Sequence, residues 1–559
     1  MYDSPQVRSL AGPITPPRPA AWPAGEASSA RRPRPAEVTR RSAEVSRSQV
    51  VRKVPHGGWV VRVRTPTGGL VDETPGVCPD PGRAAALRGL CGGAVLLPGD
   101  DGYDVARAAW NLAVDQRPAA IAYAGDAGEV AEVLRAATAA GLRVAPQGTG
   151  HNAGPLPPLS EVVLLRTSGM VGVRVDAESR RARVRAGARW IDVLAATGPL
   201  GLGTLHGSGP GVGVVGYSLG GGIGWYSRAL GLQANSVTAI DLVTADGTAL
   251  RVDADHDREL FWALRGGGGS FGVVTALEFA LHPARPAVAG LLAWDWSRTH
   301  AVLDRWARWT TDLPDEAATS FRIQRMPATG PVPPRLRGRT LAVVGGALLD
   351  HDDDASARRL LGPLRALRPE VDTFAATVPP GLGHGADGVA GAPGSAGGIG
   401  FGDFGGFSDF GAFRAPAPVI ADSVLLSRLP PAAVDAFTAA AGPGSGSTHD
   451  LVELRHLGGA LARRPPDAGS LPLVDGQFLM VSSTVADSAA ARRRGRSEAR
   501  GIVAALHPYA SGTSCLNFTT RQVDVSTGYQ PESWSRLRAM RRAVDPAELL
   551  VANHPVPPS

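Results

Sequence analysis

The sequence predicts an α+β fold built from two or three packed domains. A chain of 559 residues is too long for a single core at about 150 residues per domain. Its hydrophobic patterns alternate between strand-length and helix-length segments, first in a strand-helix-strand unit and later as strands separated by longer helices. Three glycine-dense segments lie among these elements. These observations together favour mixed layers of helix and sheet.

Residues 1–85 are rich in Pro, Arg and Ser and have little hydrophobic periodicity. Residues 1–64 carry 12 basic and 4 acidic residues, whereas the whole chain carries 57 basic and 51 acidic residues. We expect a disordered basic tail over residues 1–85, because this composition buries too little apolar surface to offset the entropy of ordering. The tail is interpreted either as a solvated extension that the chemistry does not need or as an arm that binds an acidic partner.

The first folded domain is predicted over residues 86–286. It begins with a strand at Ala119–Tyr123, a helix that opens at Asp126 and ends at Gly141, and a strand at Leu142–Ala145. That last strand leads directly into a first glycine loop, Gln147–Asn152. The later elements predicted here are a hairpin of Val171–Val175 and Ala182–Ala186, a helix at Trp190–Ala196, strands at Val237–Thr244, Leu250–Val252 and Val273–Leu281, and a helix at His256–Leu264.

The glycine segments predict a site for an extended ligand with phosphate groups. Residues 207–224 hold nine glycines in eighteen positions, and Gly266–Gly269 is a run of four. Backbone N–H groups without a neighbouring Cβ can approach anionic oxygens closely. A Rossmann site is excluded, because no segment gives a strand, G-x-G-x-x-G and a helix followed by an acidic residue about 20 positions later.

The composition excludes several other chemistries. Lys53 is the only lysine in the chain, so neither a Walker-type phosphate loop nor a Schiff-base lysine is available to the folded domains. Cys78, Cys91 and Cys515 are too far apart in sequence for an iron-sulfur cluster or a thiolate zinc site. No apolar run approaches about 18 residues, and no secretion signal is visible. We expect a cytoplasmic protein with no membrane and no nucleic-acid partner.

A second domain is predicted over residues 287–506, and a closing module over residues 507–559. Within the second domain, the Gly- and Phe-rich residues 381–414 form either an aromatic lid over a site or a flexible insertion. Residues 351–354, His-Asp-Asp-Asp, are interpreted as a helix start rather than a metal site, so no metal is expected. The elements predicted here are strands at Val288–Trp294, Thr319–Met326 and Thr340–Gly345, and helices at Thr299–Trp309, Ala355–Leu367 and Pro531–Ala543.

Several motifs together carry a family resemblance. They are Pro146–Asn152, Gly213–Gly216 with Gly220–Gly224, Leu260–Thr275, Leu516–Thr519 and the end of the chain up to His554. In this combination the chain resembles the vanillyl-alcohol-oxidase-like flavoproteins, and specifically their berberine-bridge-enzyme-like branch. The resemblance implies a two-part PCMH-type FAD-binding domain, a substrate domain of the α/β type with an antiparallel sheet, and a C-terminal berberine-bridge-type module that packs back on the FAD domain.

The resemblance also implies how FAD is bound. It places His151 where a histidine of this family forms a covalent bond with the flavin 8α-methyl carbon. A second link through cysteine would fall at Gly209, so a single covalent link through His151 is expected. The implied cofactor-binding residues are His151, Gly148, Thr149, Gly150, Asn152, Gly207, Ser208, Gly213, Val214, Gly216, Gly221, Gly222, Val274, Asn517 and Phe518.

The implied activity is oxidation of a small organic molecule: an alcohol, a sugar or a secondary metabolite. Hydride would pass to flavin N5, and O₂ would reoxidise the flavin to give H₂O₂. In bacterial members the base is often a tyrosine of the C-terminal module in a Tyr-x-Asn-Tyr or similar context. Tyr529 is the candidate here, either as that base or as a packing residue. The alternative function is a catalytically idle flavin-binding scaffold.

Two further sites leave alternatives open. His206 either touches the FAD pyrophosphate or is a buried, hydrogen-bonded residue. Arg455 and His456 are either substrate ligands or structural residues of a strand. The sequence makes no prediction of the oligomeric state.

Overall fold

The structure is a computed structural model that describes residues 49–53, 59–64, 70–72, 81–329, 332–350, 354–377 and 415–559. The chain divides into two compact units, residues 1–76 and 77–559. The first unit contains a three-stranded antiparallel sheet, in the order Gln49–Lys53, Trp59–Arg64 and Leu70–Asp72.

This small sheet corrects the expectation that residues 1–85 are disordered throughout. The first two strands contain five valines and a tryptophan, residue types that favour the extended backbone and pack well on a pleated surface. The described chain also resumes with a helix at Pro81–Ala84, before the expected end of the tail. The remaining residues of the tail lie outside the described part of the chain.

The second unit begins with a four-stranded sheet. Its edge strand, Val95–Leu96, is antiparallel to the next strand, and the other three strands run parallel. In order across the sheet these are Ala120–Tyr123, Val162–Arg166 and Arg143–Gln147. The predicted helix spans Ala127–Ala139, and the Asp126 carboxylate caps it by accepting a hydrogen bond from the Glu129 amide at 3.0 Å. The first glycine loop follows directly from the end of this sheet.

A five-stranded antiparallel sheet follows in the chain. Its order is Ala249–Asp253, Val237–Val243, Val273–Ala280, Arg181–Arg185 and Val173–Asp176. The predicted hairpin and the other strands predicted in this part of the chain are therefore present, with ends that differ by at most two residues. A separate two-stranded pair joins Leu202–Gly203 to His282–Pro283.

The largest sheet has eight antiparallel strands. Its order is Val371–Asp372, Ala287–Asp295, Thr340–Leu349, Ala317–Arg325, Leu451–His456, Phe478–Val485 and Val419–Leu426, with Ala375–Thr377 also paired to Ala287–Asp295. Val452 and Leu454 belong to the apolar core on one face. Because strand side chains alternate, Glu453 and Arg455 lie on the other face.

Four helices contribute to the apolar core of the eight-stranded sheet: Thr299–Trp309, Asp354–Arg365, Pro431–Ala441 and Ala489–Leu506. The other α-helices of the described chain are Tyr103–Ala106, Trp190–Thr197, Val214–Leu219, Ser227–Leu230, Gln233–Ser236, Arg258–Leu264 and Pro531–Val544.

The C-terminal residues return to the first sheet of this unit. The Val144 amide donates to the Leu549 carbonyl, and the Val551 amide donates to the Val144 carbonyl, both at 2.8 Å. These bonds extend the edge of the four-stranded sheet next to the first glycine loop.

Two earlier expectations concern residues beyond the described ranges. The Gly- and Phe-rich segment 381–414 and residues 351–353 lie outside the described part of the chain. None of the helices that are described is long and apolar enough to span a lipid bilayer.

Candidate functional site

A cavity of about 540 Å³ lies among all three glycine segments, within the usual size range for small-molecule and cofactor sites. We call the part formed by these segments the glycine wall. We call another part of the lining, formed by Leu425, Arg455 and the loop residues 471–475 and 513–518, the second wall. Further lining residues include 528–531 and 551–554. The predicted cofactor residues that line the cavity are Gly148, Thr149, Gly150, His151, Asn152, Gly207, Ser208, Gly213, Gly216, Gly222, Val274, Asn517 and Phe518.

Two of the predicted cofactor residues, Val214 and Gly221, are not among the residues that line the cavity, so their contact with FAD stays a prediction. Val214 is the first residue of helix Val214–Leu219, and its side chain is fully buried in the core beside the five-stranded sheet. Gly221 faces Leu471, because a Cβ at this position would lie 2.8 Å from the Leu471 Cδ2 atom. A local motif identifies such a segment but not which of its residues face the ligand.

The first glycine loop is held from behind by a buried arginine. The Arg166 guanidinium donates hydrogen bonds to the Gln147 side-chain oxygen and to the carbonyls of Ala106 and Ala108, at 2.7 and 2.6 Å. Gly150 has a φ of +78°, and a Cβ there would come within 3.0 Å of the Ala109 Cβ atom. The loop therefore needs glycine at this position for both conformation and space.

His151 is oriented by two neighbours. Its ring stacks on the Trp110 ring, with centroids 4.1 Å apart and planes 15° from parallel. Its Nδ1 atom lies 2.7 Å from the Thr149 hydroxyl oxygen. Burial lowers the pKa of His151 to about 4, so the imidazole is neutral at physiological pH. A neutral, oriented imidazole next to the cavity has the lone pair that a nucleophile requires.

The second glycine segment is tied to the C-terminal module. The Asn517 side-chain amide donates to the Tyr217 carbonyl at 2.9 Å, and the Asn152 amide donates to the Leu516 carbonyl at 3.2 Å. His206 is buried and bonded through Nδ1 to the Gly207 carbonyl at 2.7 Å. The structure thus supports the buried alternative for His206.

Tyr529 lines the cavity, and its contacts favour the packing alternative over the base. The side chain is 9% exposed, its hydroxyl donates to the Gly266 carbonyl at 3.1 Å, and its ring stacks on Trp534. Burial raises the pKa of Tyr529 above its ordinary value, whereas a base at neutral pH needs a lowered pKa. The role of Tyr529 as a base stays a prediction.

Another segment of the C-terminal module also reaches the cavity. Cys515, Asn517 and Phe518 all line it. Burial raises the pKa of the Cys515 thiol to about 12, so this thiol is protonated at neutral pH.

The second wall includes a buried ion pair. The Arg455 Nε atom donates to the Glu453 carboxylate at 2.7 Å, and the Arg455 guanidinium lies 5.1 Å from the centre of the Phe518 ring. Burial alone would raise the pKa of Glu453, but Arg455 and Arg322 more than offset this effect, so the pKa is lowered. Both groups are therefore charged at neutral pH.

The two residues Arg455 and His456 have different roles. Arg455 lines the cavity, whereas His456 is buried against Phe478 and accepts a hydrogen bond at Nε2 from Arg228 at 3.2 Å. Of the open alternatives, contact with a ligand fits Arg455 and the structural role fits His456.

Sequence reasoning missed Trp110 and Arg166, which position the first glycine loop and His151. Neither residue lies in a glycine motif, and each is at least 14 residues from the loop in sequence. The one available signal was Arg166, which ends the apolar strand Val162–Arg166. An arginine buried at such a position must find hydrogen-bond acceptors nearby, which indicates that it supports a neighbouring loop.

The lining fits a flavin dinucleotide better than a metal ion. The cavity is lined by the main chain of four glycines, Gly148, Gly150, Gly207 and Gly213, and by His151. Among the residues that the structure describes, no three His, Cys, Asp or Glu side chains are grouped to hold a metal. When bound, a flavin would supply a two-electron acceptor at this place.

Comparison with known proteins supports FAD as the cofactor. Residues 118–253 match the family described as FAD binding domain. (R)-6-hydroxynicotine oxidase of Paenarthrobacter nicotinovorans is 34% identical over 203 residues, 36% of this chain and 44% of that protein. The chain thus spans about half the length of the curated relatives it matches.

Solved structures identify the fold. Berberine-bridge-enzyme-like protein 1 of Physcomitrella patens has a TM-score of 0.71 at 20% identity, covering 85% of this chain and 99% of that chain. Glucooligosaccharide oxidase of Acremonium strictum, with a 6-S-cysteinyl, 8α-N1-histidyl FAD, has a TM-score of 0.66 at 21% identity, covering 83% and 97%. The expected fold class is confirmed: a mixed α and β fold with antiparallel sheets, like the fold of these solved structures.

Proposed function

We propose that the protein is an FAD-linked oxidoreductase that oxidises a small organic molecule by hydride transfer to flavin N5, with O₂ as the electron acceptor and H₂O₂ as the product. The observation that carries this proposal is the cavity, which joins a glycine wall suited to FAD to a second wall with a charged side chain, Arg455. One ligand fills the glycine wall, and the remaining space holds a substrate. The relative named (R)-6-hydroxynicotine oxidase supports an oxidase.

The FAD is covalently attached through His151 alone. Support comes from the neutral, stacked imidazole at the edge of the cavity and from Gly209, which lines the cavity where a cysteine would be needed for a second link. Flavin should remain with the polypeptide after acid denaturation, and one flavin-bearing peptide, containing His151, should result from proteolysis. His151→Ala should release all of its flavin in acid.

The oxidase proposal is tested on the purified holoprotein under anaerobic conditions. Panels of alcohols, sugars and amines are added, and bleaching of the flavin absorbance is recorded. A substrate should bleach the flavin, and admission of air should restore the colour with formation of H₂O₂. A protein that is fully loaded with flavin but bleached by no member of the panels would favour the idle scaffold instead.

A further inference from the structure

Three charged side chains lie together on the face of the eight-stranded sheet that is turned away from its apolar core. Glu453 and Arg455 are two residues apart on the strand Leu451–His456, and Arg322 lies directly opposite Glu453 on the neighbouring strand. Arg322 and Glu453 are each 4% exposed. We call these three residues the charged triad. Because two guanidinium groups stand beside one carboxylate, the triad has one positive charge in excess.

This excess charge reaches the cavity through Arg455. The Arg455 side chain lines the cavity and is 23% exposed, whereas that of Glu453 is 6% exposed. Besides its bond to Glu453, the Arg455 guanidinium donates to the Ser208 hydroxyl oxygen at 3.4 Å. Ser208 belongs to the second glycine segment, so Arg455 lies where the two walls of the cavity meet.

The remaining charged group of the described cavity lining is the Asp475 carboxylate. Asp475 is exposed, so water and salt screen its charge. The triad contains two buried members and is screened much less. A ligand in this part of the cavity therefore meets a positive charge at Arg455.

The other side chains of the second wall are apolar or already hydrogen-bonded within the protein. The apolar members are Leu425, Leu471, Leu473, Val474 and Phe518. The Asn517 amide and the Thr513 hydroxyl donate to main-chain carbonyls at 2.9 and 3.1 Å, and the Ser514 hydroxyl accepts a bond from Thr527 at 2.9 Å. A sugar presents many hydroxyl groups that each need a polar partner on leaving water. This wall therefore suits a mainly apolar molecule better than a sugar.

We propose that the substrate is an apolar molecule with one carboxylate group, which Arg455 binds while the apolar part of the molecule lies along the second wall. A guanidinium matches the planar pair of oxygen atoms of a carboxylate, and a bound anion balances the excess charge of the triad. Arg455 is thus a residue that determines substrate specificity. The inference rests on the proposed oxidase function, because it names the class of molecule that the site oxidises.

Binding is tested on the purified holoprotein without turnover, by calorimetry and by the change in flavin absorbance. The probes are three acids of increasing length, benzoate, phenylacetate and 3-phenylpropanoate, each beside its neutral amide. We expect at least one acid to bind at least about tenfold more tightly than its amide, because hydrogen bonds to charged groups are the stronger ones. Equal affinities in all three pairs, or binding of no acid, would overturn the proposal.

The role of Arg455 is tested with matched variants of equal flavin content. Arg455→Gln should weaken binding of the preferred acid at least about tenfold and leave binding of its amide within about threefold of the parent. Arg455→Lys, which keeps the charge, should bind the acid more tightly than Arg455→Gln does. Arg463→Gln is the control, because Arg463 pairs with Asp315 at the surface, and it should keep the parental preference. An unchanged preference in Arg455→Gln would contradict the role of Arg455.

Turnover then separates this proposal from the proposed oxidase. In the anaerobic bleaching assay, 4-(hydroxymethyl)benzoate is compared with its neutral amide and with sugars. Selective binding of acids without bleaching by any compound would contradict the oxidase and support the carboxylate site. Bleaching by sugars or neutral alcohols, with no preference for acids, would support the oxidase and overturn this inference.

Discussion

The glycine wall and the second wall of the cavity are held in place by different kinds of contact. Behind the glycine wall, buried arginines donate to main-chain carbonyls: Arg166 to Ala106 and Ala108, and Arg541 to Ser270 and Leu550. On the second wall, charged side chains bind one another, as in the pair of Glu453 and Arg455. One wall is fixed through its backbone and the other through its side chains.

Because of this difference, we expect the glycine wall to determine the shape of the site and the second wall to determine which substrate it accepts. Contacts to carbonyls fix where the chain runs without presenting a side chain to the ligand, which suits a cofactor common to many enzymes. Side chains on alternate strand positions can be replaced without moving the backbone, which suits a substrate that differs between relatives. We therefore expect that removing a buried side chain behind the glycine wall lowers the stability of the protein and its flavin content.

The largest expected effect is loss of the buried arginine behind the third glycine segment. Arg541 is 2% exposed and forms an ion pair with Asp545 at 2.9 Å, besides its bonds to the carbonyls of Ser270 and Leu550. Arg541→Met would leave a buried carboxylate and two carbonyls without these donors. We expect the free energy of unfolding to fall by about 3–5 kcal/mol, measured by urea denaturation.

The adjacent Arg542 provides a matched control. Its side chain is exposed, so Arg542→Met should change the free energy of unfolding by less than about 0.5 kcal/mol. Equal effects of the two substitutions would show that helix propensity or net charge matters here, rather than buried support of the glycine wall.

A second pair of variants tests which glycines of the third segment face the ligand. A Cβ at Gly267 would lie 2.3 Å from the Ala263 carbonyl oxygen, whereas the nearest atom to a Cβ at Gly269 is the Ala552 Cβ at 3.8 Å. Gly269 lines the cavity, and Gly267 does not appear among its lining residues. Gly267→Ala should lower stability by about 1–3 kcal/mol, while Gly269→Ala should keep the parental melting temperature and lower the FAD content.

These results would be read from thermal melts and from the ratio of flavin to protein absorbance. A stable Gly267→Ala protein with little FAD would mean that Gly267 faces the ligand after all. Normal FAD content in Gly269→Ala would mean that the cofactor does not approach the backbone at this position.

A smaller effect is expected for His456, which is buried beside Arg228 and Phe478. Burial, with a further contribution from the nearby Arg228, lowers the pKa of His456 to about 3. The unfolded chain, with a histidine pKa near 6.5, therefore binds a proton first as the pH falls. The stability contributed by neutral His456 is present above about pH 6.5 and is lost progressively down to about pH 3.

The measurement compares unfolding free energies at pH 7 and pH 5. Replacing His456 by Leu should remove up to about 2 kcal/mol of the loss that the parent shows between these values. His256→Gln is the control, because His256 is exposed on the surface. An unchanged pH dependence in His456→Leu would mean that other buried histidines dominate the acid sensitivity.

The sequence predicted the glycine wall well and the second wall poorly, for a physical reason. The requirement for bare backbone leaves a local signal, so Gly148, Gly150 and their neighbours were identified from adjacent positions. The strand that carries Arg455 is placed by pairing with a distant strand, in which Ser320 lies opposite Arg455, and no spacing in the sequence encodes that register. The contact of Tyr529 with Gly266 was not predicted for the same reason, because the two residues are 263 positions apart.

The smallest effect on stability is expected for Tyr529→Phe. This substitution is the most direct test of whether Tyr529 is a packing residue or the base. Tyr529→Phe removes one hydroxyl, which donates to the Gly266 carbonyl at 3.1 Å, and keeps the stack on Trp534. A lost neutral hydrogen bond of this kind lowers stability by about 1 kcal/mol. The flavin spectrum and the covalent attachment should be those of the parent.

The rate of anaerobic flavin reduction then decides between the two roles of Tyr529. A general base contributes about 10²- to 10⁴-fold to the rate, so its loss would slow reduction by that factor. A hydroxyl that donates its proton to a buried carbonyl, with its pKa raised by burial, has no lone pair directed to a substrate proton. We therefore expect reduction in Tyr529→Phe within threefold of the parent at every pH from 6 to 9. A slowing of a hundredfold or more, with a new dependence on pH, would restore Tyr529 as the base and would require its hydroxyl to leave Gly266 when substrate binds.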